Sequence, residues 1–83
     1  MQKPTFDRYH PNYAACTNAV DYADEGDFEK SCVWLNEAQI GLEDEENLQD
    51  YEDAVEYVLD RAEEAGVDLQ RDKRTLRTNW RVG

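Results

Sequence analysis

The groups in this chain able to do chemistry are few: one histidine (His10), two thiols (Cys16 and Cys32) and an excess of carboxylates. Nucleophilic catalysis needs a nucleophile, a base and a group that orients the base. The sole histidine stands in a Tyr9-His10-Pro11 sequence with no second histidine for company. Zinc on Cys16 and Cys32 would need two further ligands, with His10 the one obvious candidate, so buried structural thiols are expected instead. Asp21, Asp24, Glu25, Asp27 and Glu29 surround Gly26 and invite a calcium-loop reading. It fails on spacing: counting from Asp21, the third position is Ala23 and the twelfth is Cys32, where a bidentate glutamate belongs. Four isolated glycines make no phosphate cradle. Paired carboxylates abound, but on an open helix surface that offers acid–base catalysis no enclosed site. The sequence therefore predicts no enzyme, no catalytic residue, no metal and no cofactor.

Charge is the stronger signal. The 83 residues carry a net charge of -11, which repels nucleic acid and anionic membranes and makes a basic protein surface the natural partner. Its distribution is uneven. Residues 1–65 hold 18 acids against Lys3, Arg8, Lys30 and Arg61, a balance of -14, whereas residues 66–83 hold five bases against Asp68 and Asp72, a balance of +3. Such a chain can pair with itself, within one copy or between two. At this length the chain is one domain, 1–83, that buries only about 60% of its unfolded surface. Forty per cent hydrophobic residues argue for a fold despite 35% charged ones. The longest apolar run, Cys32 to Leu35, is too short to cross a bilayer. With no apolar leader at the start, a soluble cytoplasmic protein with reduced thiols is expected.

The elements that must position these groups read as helices. Met1 to Pro11 carries two prolines and no helical period, so it is predicted as an extended arm whose Phe6 and Tyr9 rest on the body. Residues 12–66 form the body. Asn12 can cap a first helix with Tyr13, Cys16, Ala19, Val20 and Ala23 on one face, ending near Gly26. Asp27 can cap a second, with Phe28, Cys32, Leu35 and Ala38 on its face and Gly41 at its close. Val33, Trp34 and Ile40 widen that apolar arc, which places the second helix at the centre of the core. A third, long helix runs from Glu43 to Gly66, with Leu48, Tyr51, Val55, Val58, Leu59 and Ala62 as its apolar stripe. Gly66 can take the left-handed conformation that stops it, with Val67 folding back.

Residues 67–83 form a basic C-terminal segment that fits two periods. Leu69, Lys73, Leu76 and Trp80 share a helical face, while Leu76, Thr78, Trp80 and Val82 alternate as in a strand. A short helix from Asp68 is preferred over an extended segment. Trp80 marks where this end docks. The expected fold is thus all-α: a small bundle of three main helices with an N-terminal arm and a short basic C-terminal helix or extended piece.

Asn18 to Ala38, NAVDYADEGDFEKSCVWLNEA, resembles one tetratricopeptide-type helical hairpin. Ala19, Tyr22, Gly26-Asp27-Phe28, Ser31, Leu35 and Ala38 occupy the places that family fills with small, aromatic and large apolar residues. Asn18 stands where a leucine-like residue is usual, and Glu43 to Glu46 lack the closing proline. Thirty-four residues on there is no second copy, since Gly26 maps to Asp60 and Tyr22 to Glu56. The resemblance implies helix-pair geometry and a protein-binding surface, and no enzymatic residue.

The candidate site is the acid face of the third helix: Glu52, Asp53, Glu56, Asp60, Glu63 and Glu64. Like charges four apart each destabilise a helix by about 0.2–0.5 kcal/mol. A helix over 45–65 is about 30 Å long and holds nine acids, against about 18 phosphate charges on the same length of DNA. Half that density on one face suits a partial DNA mimic, a stoichiometric inhibitor of a nucleic-acid-binding or defence protein. Two alternatives stand beside it. One is an adaptor binding through an apolar groove with Tyr22, Trp34 and Trp80. The other is a homodimer with Arg71, Arg74, Arg77 and Arg81 of one copy on the acid helix of the next.

Overall fold

The computed structural model describes residues 1–74 and 77–83, Arg74 by its backbone alone. Three helices, α1 (Tyr13–Asp24), α2 (Phe28–Glu37) and α3 (Glu45–Ala65), precede two strands, β1 (Leu69–Arg74) and β2 (Arg77–Val82). α1 and α2 form an antiparallel hairpin: Asn12 at the start of α1 reaches Ala38 just past α2, and the Ser31 hydroxyl donates to the Ala19 carbonyl at 2.7 Å. Gly26, at φ 81°, makes the turn between them. The Asp27 carboxylate then accepts from the Lys30 N–H at 3.2 Å, capping α2 as its sequence predicts. Cys16, Ala19, Val20 and Ala23 of α1 bury against Phe28, Cys32 and Leu35 of α2, with Ala38 just beyond.

Asn12 occupies the cap position of α1 but makes no side-chain cap bond. Its buried amide instead donates to the carbonyls of Ala38 and Asn47, each at 3.2 Å, and so joins the end of α2 to the first turn of α3. α3 packs on α1 through Ala54, Tyr57, Val58 and Ala62, the small Ala54 allowing close approach to an alanine-rich neighbour. This rotates the helix from its expected orientation. Leu48 and Leu59, predicted for the core, remain 38% and 37% exposed, while Asn47 and Tyr57 are buried, the Asn47 amide N–H donating to the Gly41 carbonyl and the Tyr57 hydroxyl to Asp24. Gly66, at φ 72°, closes α3, and the Val67 N–H returns to the Ala62 carbonyl at 2.9 Å.

The C-terminal segment overturns the all-α expectation and the preferred helix from Asp68. β1 and β2 pair antiparallel, with Leu69 opposite Val82, Arg71 opposite Trp80 and Lys73 opposite Thr78. The physical reason lies at the C-terminal end of α2, where Asn36 stands in the last turn and Gln39 just past the helix. The Asn36 amide accepts from the Trp80 N–H at 2.6 Å and donates to the Trp80 carbonyl at 3.1 Å. Gln39 does the same for Thr78, at 2.8 and 2.6 Å. Two side chains thus stand in for the backbone of a neighbouring strand, a partnership that a helix, with its peptide groups turned inward, would forfeit. Trp80 is 4% exposed and its indole N–H donates to the Tyr51 hydroxyl at 2.9 Å. Leu76, which fitted both periods, lies outside the described residues.

Phe6 packs against the core as predicted, whereas Tyr9 is 81% exposed. A turn held by the Asp7 carboxylate on the Tyr9 N–H directs Tyr9 outward under Arg8 and brings His10 onto α3. Val33 and Ile40 are exposed too, so of the three residues expected to widen the apolar arc only Trp34 packs against the core.

Burial pushes the Cys16 thiol up to about 12 and the Cys32 thiol to about 11. Both are free and buried. At about pH 8 the folded protein is expected to resist iodoacetamide and to take up two labels once unfolded in urea. Intact mass measures this, and rapid labelling without denaturant would contradict it.

Candidate functional site

The carboxylates of α3 divide into two lines. Glu45, Glu52, Glu56 and Glu63, spaced by seven, four and seven, share one exposed line. It rises about 27 Å along the helix. Among the described residues no cation pairs with any of the four. The second line has partners. Asp60 faces the N-terminal ammonium at 3.8 Å, Asp53 accepts from Gln49 at 2.9 Å, and Glu64 pairs with Arg61 at 3.0 Å. The six acids expected as one site are therefore not equivalent: Glu52, Glu56 and Glu63 face outward unpaired, joined by Glu45, while the other three have partners.

Lys73 apart, the described cations are occupied elsewhere. Lys3 bonds Asp21 at 2.6 Å and Asp24 at 3.1 Å, and Lys30 lies near Asp27 and over the Tyr22 ring. Arg61 spans Asp24 and Glu64. In the hairpin, Arg71 stacks over Trp80, Arg77 donates to the Asn36 carbonyl at 2.6 Å and Arg81 binds Asp72 at 2.8 Å. Of the acids around Gly26, Asp21, Asp24 and Asp27 have structural partners. Asp27 caps α2, and Asp24 gathers Lys3, Arg61 and the Tyr57 hydroxyl at 2.5 Å, locking α3 to α1. Burial alone would raise the Asp24 carboxyl, but the bonds from Tyr57 and Lys3 and the Arg61 charge outweigh it and hold it below the usual range.

His10 fixes the other end of α3. Its Nδ1 lies 2.6 Å from Asp50, and Nε2 is 3.7 Å from Asp7 and 3.6 Å from Glu46. The hydrogen bond to Asp50 raises the imidazole above its ordinary value, against a smaller opposing effect of desolvation. A raised folded-state value means that this contact contributes fully below about pH 6.5 and is lost as pH rises through the folded value. The melting temperature should therefore fall on going from mildly acidic to mildly alkaline buffer, and His10→Gln should flatten that slope. An identical profile for the variant would refute the assignment.

Beside the acid line lies a groove of about 430 Å³. Leu48, Tyr51, Val55 and Leu59 of α3 form one wall, and Trp80 and Thr78 form the other. Glu52 and Glu56 edge the helix side; Arg71 and Lys73 edge the hairpin side. Trp80, expected as an exposed docking residue, is buried beneath this groove. Tyr22 and Trp34 are half-buried elsewhere and do not line it. The three aromatics are not one site.

No family model, curated protein or solved structure matches the chain. Residues 18–38 do form an antiparallel helix pair, with Ala19, Phe28, Ser31, Leu35 and Ala38 buried between or beside the helices.

Three features escaped the sequence reading. Glu45 belongs to the exposed line, a membership that the spacing of seven to Glu52 could have revealed. The groove follows from apolar residues on two adjacent stripes of α3, a signal present in the sequence but read as one stripe. Asn36 and Gln39 gave none, because polar residues at and just past the end of a helix normally face water.

Proposed function

We propose that this chain is a non-enzymatic protein-binding module that presents the Glu45, Glu52, Glu56 and Glu63 line of α3 to a basic surface of a partner and blocks it by occupying it. The observation that supports this most is the division of charge: every described cation except Lys73 is engaged with another group, while four glutamates on one rigid helix have no cation beside them. Like-charge repulsion at Glu52–Glu56 and Glu56–Asp60 costs about 0.2–0.5 kcal/mol per pair, a cost that a cation from outside would offset. A nucleic-acid-binding protein, whose own ligand is a line of regularly spaced negative charge, has the complementary site. Asp53, Asp60 and Glu64 support the field from the flank.

The experiment is capture from the source cells by the tagged chain at low ionic strength, with identification of what salt elutes. The reading expects a basic protein whose nucleic-acid binding falls in proportion to the chain added, as stoichiometric blocking requires. Capture of neutral or acidic proteins that stay bound in high salt would favour docking in the apolar groove instead. Sizing at low and high salt separates both from the homodimer, in which the hairpin cations of one copy would have to leave Asn36, Asp72 and Trp80 for the helix of another.

A further inference from the structure

We propose that the groove between α3 and the hairpin receives an extended, apolar and basic segment of the partner, added as a third strand on β1; its basic character rests on the reading above. The two edges of the hairpin are treated differently. On β2, the outward peptide groups of Thr78 and Trp80 are taken by Gln39 and Asn36. In an antiparallel ladder, residues opposite such outward-facing positions also turn their peptide groups away from the pair. Arg71 and Lys73 lie opposite Trp80 and Thr78, and Leu69 lies opposite Val82. The inward bond from the Gly83 N–H to the Asp68 carbonyl at 2.8 Å sets the same phase. Hence Leu69, Arg71 and Lys73 direct N–H and C=O along the outer edge of β1, where no described group meets them.

That edge opens where α3 is bare. The side chains of Arg71 and Lys73 share the Trp80 face and line the groove across from Leu48, Val55 and Leu59. A strand about 4.8 Å beyond β1 would bond the open edge and lay alternate side chains over that apolar wall. Charge selects among occupants. A second copy paired antiparallel about Arg71 would set Arg71 against its own equivalent, an unfavourable cross-strand contact, between two chains each of net charge -11. A partner strand with apolar residues opposite Arg71 and Lys73 avoids this. Cationic residues at its next inward positions reach Glu52 and Glu56.

The probe is an acetylated, amidated nonapeptide with threonine outward and lysine, valine, valine and lysine at its inward positions, titrated into the full chain. Nuclear magnetic resonance should show amide exchange at Leu69, Arg71 and Lys73 slowed at least about tenfold, above the modest protection of exposed edges. Arg71→Pro and Lys73→Pro remove outward donors that the hairpin does not use; each should bind the peptide at least tenfold more weakly, and Lys73→Pro, which leaves Arg71 over the Trp80 ring, should also keep the Trp80 environment. Peptide shifts confined to Glu52 and Glu56, with the β1 amides exchanging as before, would overturn the added strand and leave the anionic surface intact. Equal binding by both proline variants would also overturn it, as would protection that grows with protein concentration alone, the signature of a second copy. Protection that persists with threonine in place of the lysines would support the strand and count against the anionic reading.

Discussion

Trp80→Ala is expected to lower folding stability by about 3–5 kcal/mol, the usual cost of removing a buried tryptophan. A chain of this size has roughly 4–12 kcal/mol in total. An isolated two-stranded hairpin is marginal in water, and here Trp80 carries its side-chain anchorage. The indole fills the space beside Tyr51, its N–H is bonded there, and its backbone is held by Asn36. Truncation strands the Tyr51 hydroxyl and removes the contact that orients Arg71. Urea unfolding followed through the remaining Trp34 measures the loss. A variant within about 1 kcal/mol of the parent would show that the hairpin docks by the amide pair alone.

Reversal of Glu52 and Glu56 to lysine is expected to weaken partner binding about 100-fold, equivalent to about 2.7 kcal/mol. Each exposed ion pair contributes little by itself, about 0.2–1 kcal/mol, but reversal also installs like charges against the partner, which is far costlier. The single change Glu56→Lys separates this from damage to the fold. It converts repulsion with Glu52 and Asp60 into attraction, so the variant should be more stable by about 1 kcal/mol while binding more weakly. Loss of binding together with gain of stability is the combination that a surface shaped for a partner predicts and a purely structural role does not. Reversal of Glu64, which has Arg61 as its partner, should have a smaller effect on binding.

Local signals in the sequence were sufficient for the helices. Asp27 caps α2, Gly26 and Gly66 take left-handed turns, and the stripes of α1 and α2, the half-buried Tyr13 apart, are buried where their periods place them. The last sixteen residues were another matter, because a segment that short fits both periods. What decides it is the pair Asn36 and Gln39, some forty residues away in sequence, which bond to an extended β2 and would have nothing to hold on a helix. The rotation of α3 has a similar origin. Leu48 and Leu59 are larger than Ala54, yet Ala54 lies in the core since an alanine-rich α1 admits a close neighbour and Tyr57 finds Asp24 there. The acid face of α3 was legible as composition and spacing. Which of its members have partners was not, since Met1, Gln49 and Arg61 choose among carboxylates through the arm and the helix turn rather than by number alone.

The most direct measurement is the affinity of the chain for its captured partner across a salt series, with the doubly reversed variant alongside. Screening shortens the reach of exposed charge from about 30 Å at 0.01 M to about 10 Å at 0.1 M. Parent affinity should fall steeply and continuously over that range, while the variant stays weak throughout. An affinity that ignores salt, with the variant binding as well as the parent, would contradict a function built on the unpaired glutamates of α3.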